Sequence, residues 1–228
     1  MTAQELIEQG NSLRTQRQYQ QALACYCQAM CQDRPNAAAF NNYGNVLREV
    51  GDPAGALPFL ERAAQLEPRD VPCRFNQAVC WLLLGDYARG WPAYEARWQY
   101  EHLAGTQPQL TQPRWTGQDL QGRSILVIGE QGHGDCIQFS RFLWNLHQAG
   151  ARVHLEVTEG LVPLFQGSPI LASVTGYTEA RPETDYWTPI MSIPGVLGVT
   201  LDNLPRPVNY ITANQELQDQ WRERLGAK

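Results

Sequence analysis

Apolar positions at helical spacing recur with a period of 34 in residues 1 to about 100. Small residues keep one phase of this period, as at Gly10 and Gly44, and large apolar residues keep another, as at Tyr26 and Leu60. Small residues let paired helices approach closely, and large ones fill the space between neighbouring pairs. The pattern therefore predicts an all-α array of three stacked helix pairs.

From Ser124 onward the pattern changes to short apolar runs separated by glycine-containing loops. The run from Ser124 to Ile128 has the length of a strand that is buried on both faces of a parallel sheet. Glycines follow at positions 129, 132 and 134, and then a helix with its apolar residues on one face. Because strands and helices alternate here, the sequence predicts an α/β domain with a parallel sheet.

The fold class predicted is therefore multi-domain, with an array over residues 1–100, a junction over 101–122 and an α/β domain over 123–228. Further strands are predicted at Arg152–Val157, Leu171–Val174, Tyr186–Ile190 and Tyr210–Ile211, and helical segments at Leu161–Phe165, at Ser192–Leu197 and from a cap at Asn214 to about Leu225. The junction is rich in tryptophan, and we expect Pro113-Arg114-Trp115 to anchor it by an aromatic plug. The alternative is a loose tether.

Charge and cysteine content narrow the possible functions. The net charge is -5 and the pI is about 5.4, which argues against a nucleic-acid surface. No apolar run has membrane-spanning length, and the polar N-terminus does not resemble a signal peptide. The six cysteines form no paired framework, so a reduced, cytoplasmic compartment is the simplest interpretation. Cys25, Cys27 and Cys31 lack a second ligand pair, so we predict neither a metal site nor a cofactor.

The helical unit resembles the tetratricopeptide repeat, a helix-turn-helix motif of 34 residues. Asn11 and Asn45 share one repeat phase, and Asn42 and Asn76 share another. Amide side chains of this kind can grip the backbone of an extended peptide, because each carries a donor and an acceptor. We therefore expect a protein or peptide partner in the groove of the array. The alternative is that these asparagines are ordinary solvated residues.

A second resemblance rests on the order of several motifs, namely GWPAYEARW, PRW, GEQGHGD and TPIMSIPGVLGVTLDNLP. This order resembles bacterial glycosyltransferases that contain tetratricopeptide repeats. They are similar to O-linked N-acetylglucosaminyltransferases and, in the GxGD loop, to lipopolysaccharide heptosyltransferases. The resemblance implies a GT-B fold, with residues 123–228 as its amino-terminal, Rossmann-like half. The half that binds the nucleotide-sugar would follow Lys228, so the resemblance implies that this chain alone is inactive.

In heptosyltransferase-like enzymes, the aspartate that matches Asp135 is placed to take a proton from the acceptor hydroxyl. The strand, the glycine loop and the helix N-terminus form a backbone cradle, so Gly132, His133 and Gly134 are the candidate ligand-binding loop, although His133 stands where relatives usually carry an apolar residue. From the residues alone, Asp135 is also a candidate N-cap of the following helix. A dinucleotide fingerprint is a further alternative, with Glu156 near the ribose-binding position. Ile137 stands where that fingerprint needs its third glycine, which weakens this alternative.

The sequence thus favours a protein-interaction module that is fused to a glycosyltransferase-like domain. The alternative is an enzyme, or a fragment of one, that transfers a sugar from a nucleotide-sugar to a protein or glycan acceptor.

Overall fold

A computed structural model of the chain describes residues 1–32, 34–100, 107–205, 210–211, 213 and 215–226. The chain divides into two compact units. The first comprises Met1–Pro108 with Val199–Asp202, and the second comprises Gln109–Gly198 with Asn203–Lys228. The first unit is built from helices and the second contains a four-stranded sheet. In the part of the chain described, no helix is long and apolar enough to cross a membrane.

The helical unit consists of three helix pairs. Its helices are α1 (Ala3–Thr15), α2 (Tyr19–Met30), α3 (Ala37–Glu49), α4 (Pro53–Leu66), α5 (Val71–Leu83) and α6 (Tyr87–Tyr94). The first helices of the pairs begin at residues 3, 37 and 71, and the second helices begin at 19, 53 and 87. Both series advance by 34 residues, which confirms the predicted period and the predicted helix pairs.

Side-chain caps account for where several of these helices begin. Thr2 and Glu5 form a reciprocal capping box at the start of α1. The carboxylates of Asp52 and Asp86, which share one repeat phase, accept the backbone N–H groups of Gly55 and Arg89 at 2.8 and 3.1 Å. Each cap satisfies a donor that would otherwise have no partner within its helix.

The turn inside each helix pair contains one residue in the left-handed region. Gly51 has φ 92°, and Gly85, at the same phase, has φ 79°. The equivalent residue of the first pair is Arg17, with φ 60°. Glycine adopts this conformation without steric cost, whereas arginine does so with strain. The repeat period therefore extends to the backbone conformation of the turns, even where the glycine is missing.

Close packing within the pairs explains the small residues of the repeat. A Cβ atom at Gly10 would lie 2.5 Å from a ring carbon of Tyr26, and one at Gly44 would lie 2.8 Å from Cγ of Leu60. Tyr26 and Leu60 are both fully buried. The predicted close approach of the paired helices at these glycines is confirmed.

The third pair ends differently from the others. Helix α6 is short and passes into a 3₁₀ turn, in which the side chain of Arg97 is completely buried. Its guanidinium carbon lies 5.2 Å from the ring centroid of Tyr94 and 4.5 Å from that of Trp98. The carboxylate of Glu95 accepts a hydrogen bond from Arg97 at 2.8 Å. This buried charge is stabilised by aromatic faces and by an ion pair.

The second unit is organised around a parallel sheet with the strand order β3-β2-β1-β4. Its elements are β1 (Ser124–Ile128), α7 (His133–Phe139), α8 (Leu143–Gln148), β2 (Arg152–Val157), α9 (Val162–Phe165), β3 (Ser173–Gly176), β4 (Tyr186–Pro189), α10 (Ile193–Val196) and α11 (Gln215–Leu225). All five residues of β1 are buried, as the apolar run predicts. Since β1 pairs with both β2 and β4, it lies in the interior of the sheet.

Most predicted elements of this unit are confirmed, with several differences. Strand β4 ends at Pro189 rather than at Ile190, and the helix predicted after the glycine loop is divided into α7 and α8 by a 3₁₀ turn. Strand β3 begins at Ser173 rather than at Leu171. Tyr210 and Ile211 are described but do not lie in a strand, so that prediction is wrong. A run of two apolar residues is too short for periodicity to assign. The predicted cap Asn214 lies outside the described residues, whereas the helix that follows it is present as α11.

The Pro113-Arg114-Trp115 segment is anchored on the sheet. Trp115 is 4% exposed, and its backbone N–H donates to the carbonyl of Trp187 in β4 at 2.8 Å. The N–H of Trp187 in turn donates to the carbonyl of Pro113 at 3.2 Å. The indole N–H of Trp115 donates to the carbonyl of Gln118 at 2.9 Å. The aromatic anchor is therefore confirmed, and this segment is not a loose tether.

Candidate functional site

Two surfaces contain the residues predicted to be functional, one in each unit. In the helical unit, asparagine side chains join successive first helices in hydrogen-bonded pairs. Nδ2 of Asn42 donates to Oδ1 of Asn11 at 3.0 Å, and Nδ2 of Asn76 donates to Oδ1 of Asn41 at 3.0 Å. Asn11, Asn41, Asn42, Asn45 and Asn76 are together called the amide ladder below.

Further contacts hold the ladder in place. Oδ1 of Asn11 also accepts the hydroxyl of Tyr26 at 2.8 Å. Burial raises the pKa of Tyr26 to about 12, which further favours the protonated hydroxyl that donates this bond. Oδ1 of Asn45 accepts Nε and Nη2 of Arg48 at 3.1 and 2.5 Å. The orientation of these two amides is therefore set before any partner binds.

The ladder retains unused hydrogen-bonding groups. Among the residues described, Nδ2 of Asn11 and Asn45 and Oδ1 of Asn42 and Asn76 have no hydrogen-bond partner within the chain. Asn11 is exposed and Asn42 is half-buried, whereas Asn45 and Asn76 are 7% and 3% exposed. The ladder is therefore most accessible at the end formed by the first repeat.

The surface changes character along the repeats. Arg14 in α1 and Glu49 in α3 form an ion pair, with Nε of Arg14 3.1 Å from each carboxylate oxygen. In the third repeat, Phe75 occupies the phase of Asn41, and its ring lies 4.8 Å from the ring of Tyr100. The first two repeats therefore present amide and charged groups, and the third presents aromatic rings.

Asn41 belongs to the ladder but does not follow from the repeat phase. The residues one period before and after it are Ile7 and Phe75, so no second asparagine marks the position. Its role follows only from the contact with Asn76. The doublet Asn41-Asn42 was the one available indication in the sequence.

In the α/β unit, the glycine loop leads from β1 into α7. The helix begins at His133 with Gly132 as its N-cap, so Asp135 lies at the third helical position. The prediction that Asp135 is the N-cap is therefore wrong in position. Its carboxylate nevertheless accepts a backbone N–H at the helix start, that of Gly132, at 3.1 Å. This bond supplies a partner to the N–H of the extended Gly132.

The glycines of the loop have different environments. A Cβ at Gly129 would lie 2.9 Å from Sγ of Cys136 and 3.2 Å from the carbonyl oxygen of Glu156, so close packing requires this glycine. A Cβ at Gly134 would have no described atom within 4 Å apart from its neighbours in sequence and the backbone of its own helix. Gly134 also has no positive φ, so neither packing nor backbone conformation requires it. Gln131 has φ 60°, which is unfavourable for a residue other than glycine.

Two contacts from neighbouring segments hold the loop. The hydroxyl of Tyr177 donates to the carbonyl of Gly129 at 2.8 Å, and burial raises the pKa of this tyrosine to about 12. A carboxylate oxygen of Glu130 accepts the backbone N–H of Met191, beyond the end of β4, at 3.1 Å. Gly132, His133 and Gly134 are exposed, and Asp135 is half-buried. The structure therefore brings these four predicted residues together at the carboxyl ends of β1 and β4.

Sequence reasoning did not identify Glu130 or Tyr177. Glu130 lies within the GEQGHGD motif and could have been chosen as a polar residue directly after a buried strand. Tyr177 carries no local pattern that marks it. It reaches the loop only because β3 ends at Gly176, immediately before it.

The candidate ribose-binding carboxylate has another role. Glu156 in β2 is completely buried, and its two oxygens accept Nε and Nη2 of Arg181 at 2.6 and 2.8 Å. A ribose hydroxyl would have to compete with this two-point ion pair. Together with Ile137 at the third glycine position, the pairing argues against a dinucleotide site. Among the described residues, no cluster of three or more His, Cys, Asp or Glu could hold a metal ion.

Comparisons of sequence agree with the helical architecture. The family model described as the tetratricopeptide repeat matches residues 7–71 and 44–102, and this part of the chain therefore contains tetratricopeptide repeats. The chain is similar to Protein FlbA of Caulobacter vibrioides, at 25% identity over 247 residues. This alignment covers 84% of the chain and 41% of FlbA, so the chain spans less than half the length of that relative.

Solved structures give weaker likenesses. The first tetratricopeptide domain of RPAP3 bound to an HSP90 peptide has a TM-score of 0.41 at 22% identity, over 44% of this chain and 80% of that one. YrrB, described as a tetratricopeptide protein with an unusual peptide-binding site, has a TM-score of 0.38 at 25% identity. The match covers 44% of this chain and 52% of YrrB. A mutant of the O-GlcNAc transferase of Thermobaculum terrenum has a TM-score of 0.40 at 13% identity. The match covers 76% of this chain and 41% of that chain.

Proposed function

We propose that this chain, which contains an array of tetratricopeptide repeats, is a protein-interaction module that binds an extended peptide along the amide ladder. The observation that carries the proposal is the set of unused groups on the ladder. Asn11 and Asn45 each offer a donor, and Asn42 and Asn76 each offer an acceptor. An extended backbone presents carbonyl and N–H groups that can satisfy both kinds.

Preorganisation supports the same proposal. The bonds to Tyr26 and Arg48 hold Asn11 and Asn45 in place, so a peptide would not have to order these side chains on binding. Avoiding that entropic cost strengthens binding without adding contacts. The aromatic surface of Phe75 and Tyr100 would favour an apolar side chain at the corresponding end of the peptide.

Replacement of ladder asparagines by alanine is expected to weaken peptide binding about five-fold per residue, because each change leaves peptide groups unpaired. Peptides would be selected from a random display library on the wild-type chain, and their affinity would be measured by fluorescence anisotropy. The variants are Asn11→Ala, Asn42→Ala and Asn45→Ala. The matched control is Gln28→Ala, an exposed amide on a second helix, α2.

Thermal melts of each variant would separate lost contacts from lost folding, since Asn11→Ala also removes the partner of the Tyr26 hydroxyl. If the selected peptides bind the three folded variants as tightly as wild type, the ladder is not the binding surface. If the Gln28→Ala control loses as much peptide affinity as the ladder variants, the ladder is likewise not the binding surface.

A second function is proposed for the α/β unit, namely the acceptor-facing half of a glycosyltransferase with Asp135 as general base and Gly132, His133 and Gly134 as the ligand-binding loop. The supporting observation is the open space beside Gly134. The fold itself does not require a glycine at this position. A missing side chain at such a position allows a ligand to approach the backbone closely. Asp135, one residue further on, presents a half-buried carboxylate that could accept a proton from a hydroxyl.

Gly134→Val tests this second proposal because its effects on folding and on binding should differ. The apo melting temperature should be unchanged, since the new side chain meets no atom within 4 Å at its Cβ and valine is no worse a helix former than glycine. In scanning calorimetry with a panel of mono- and oligosaccharides, a saccharide that raises the melting temperature of wild type should not stabilise the variant. Equal stabilisation of both proteins, or no stabilising saccharide for wild type, would contradict it.

A further inference from the structure

The third repeat contains a cavity of about 370 Å³. One wall is the face of α5 that carries Arg74, Gln77 and Trp81, and the opposite wall is formed by Pro92, Ala93 and Ala96. This volume lies within the range of small-ligand sites. The cavity lies between the two helices of one repeat, and none of the ladder asparagines lines it.

The repeat period shows how the cavity arises. In the second repeat, Tyr43 and Phe59 fill the equivalent space, with ring centroids 4.4 Å apart. One period later these positions are Gln77 and Ala93, so an amide and a methyl group replace two aromatic rings. Gln77 is only 8% exposed. The first repeat has Gln9 and Cys25 at these phases, so the ring pair belongs to the second repeat alone, and in the third a polar side chain is buried beside a methyl group.

Donor groups without acceptors line this cavity. Nε of Arg74 and the indole Nε1 of Trp81 are buried and have no hydrogen-bond partner among the residues described. Nη2 of Arg74 donates to Oε1 of Gln99 at 3.0 Å, so the buried guanidinium nitrogen that lacks a partner is Nε. The spacing of Arg74, Gln77 and Trp81 by three and four residues places them on one helix face. Buried donors in native proteins normally have partners, so these two need an acceptor.

We propose that this cavity binds a carboxylate that carries a compact apolar body. Guanidinium and indole N–H groups are donors only, so the ligand must supply acceptors, and the positive charge of Arg74 favours an anion. The carboxylate of Glu95, which also lines the cavity, already accepts from Arg97 at 2.8 Å and is neutralised there. Pro92, Ala93 and Ala96 would cover the apolar body of the ligand. The carboxylate belongs either to a free organic acid or to the C-terminus of a peptide.

The Trp81 indole provides a direct readout. The chain has seven tryptophans, and in a ¹H–¹⁵N spectrum the Trp81 indole resonance would be assigned with Trp81→Phe. N-acetyl-leucine is expected to shift this resonance saturably, because a new acceptor hydrogen-bonds the indole N–H. N-acetyl-leucinamide has the same body without the carboxylate, and it should bind at least about ten-fold more weakly, since hydrogen bonds to charged groups are the stronger ones. Benzoate represents a free aromatic acid.

Two variants make the test specific. Arg74→Met should weaken N-acetyl-leucine about ten-fold by removing the charge-assisted bonds. The double variant Gln77→Tyr/Ala93→Phe introduces the ring pair of the second repeat into the third, and it should abolish binding while preserving the fold. If that double variant does not fold, Arg74→Met decides the test. Tighter binding of N-acetyl-leucine than of benzoate would identify a peptide C-terminus, and the reverse would identify a free acid.

Three results would overturn the proposal. They are a wild-type Trp81 resonance that no carboxylate shifts, equal affinity for the acid and its amide, and undiminished binding by the folded Arg74→Met variant. None of these results depends on whether the amide ladder binds a peptide.

Discussion

Arg181→Met is expected to lower the free energy of unfolding of the α/β unit by about 3 kcal/mol, the lower end of the range for breaking a buried ion pair. Glu156 is completely buried, and Arg181 provides hydrogen bonds to both of its oxygens at 2.6 and 2.8 Å. Removal of the guanidinium would leave a buried carboxylate without its counter-charge. We take the lower end because the side chain of Arg181 is itself 40% exposed.

The double variant Glu156→Met/Arg181→Met is the control for this prediction. Replacing both partners of a buried pair by apolar residues is often neutral, so the double variant should regain most of the lost stability. Arg181→Lys should fall between wild type and Arg181→Met, because lysine keeps the charge and loses the two-point geometry. Urea titration with hydrogen exchange measured at the amides of β2 would report this unit alone. A loss under about 0.5 kcal/mol for Arg181→Met, the range of ordinary surface substitutions, would show that the pair contributes little.

The repeat architecture could be predicted because its information is local and is repeated. Gly10 and Gly44 each mark a close contact between the two helices of one pair, and the period alone places both. Gly51 and Gly85, one period apart, both adopt the left-handed conformation in their turns. The period does not reveal that Arg17 adopts this conformation too, since arginine is not a turn signal.

The ion pair of the α/β unit could not be predicted, because its partners come from segments far apart in sequence. Glu156 was considered for a ribose site from its distance to the glycine loop, which is a property of the sequence alone. Its pairing with Arg181 depends on how the segment after β3 folds back over β2. Nothing in the residues next to Arg181 indicates such a contact.

The error at Asp135 has a local origin. Aspartate is a strong N-cap residue, and glycine is a weaker one, so preference alone favours Asp135 over Gly132. In the structure the helix begins earlier, and Asp135 caps it from the third helical position. Residue preference predicts helix ends least well. A side chain at the N-cap and one three residues later can each serve the backbone N–H groups at the same helix start.

Some information in the sequence becomes useful only when the repeats are compared with one another. Tyr43 and Phe59 correspond to Gln77 and Ala93, and this loss of two rings is visible without coordinates. The structure adds that the third repeat does not close over the space, so that a cavity remains. The first repeat has Gln9 and Cys25 at the same two phases, so the ring pair belongs to the second repeat alone and sequence comparison by itself does not single out the third.

Leu60→Ala is expected to destabilise the helical unit by about 3 kcal/mol, within the range measured for buried leucines. Leu60 is fully buried and belongs to a core cluster with Ala56 in its own helix and Cys80 in the next repeat. In repeat arrays each unit is stabilised mainly by its neighbours, so a cavity between the second and third repeats should weaken both. Urea unfolding followed by far-ultraviolet circular dichroism would measure the loss.

Two further variants would test this explanation of the Leu60→Ala loss. Leu83→Ala removes an equivalent side chain that is 60% exposed in the same array, and it should change stability by less than about 0.5 kcal/mol. Gly44→Ala alone should be destabilising, because its Cβ would lie 2.8 Å from Cγ of Leu60. In the Leu60→Ala background the same change should cost less, since the contact with Leu60 is gone and only the backbone carbonyl of Ala56, 3.1 Å from that Cβ, remains close. If Gly44→Ala has the same effect in both backgrounds, Leu60 is not the residue that requires glycine at position 44.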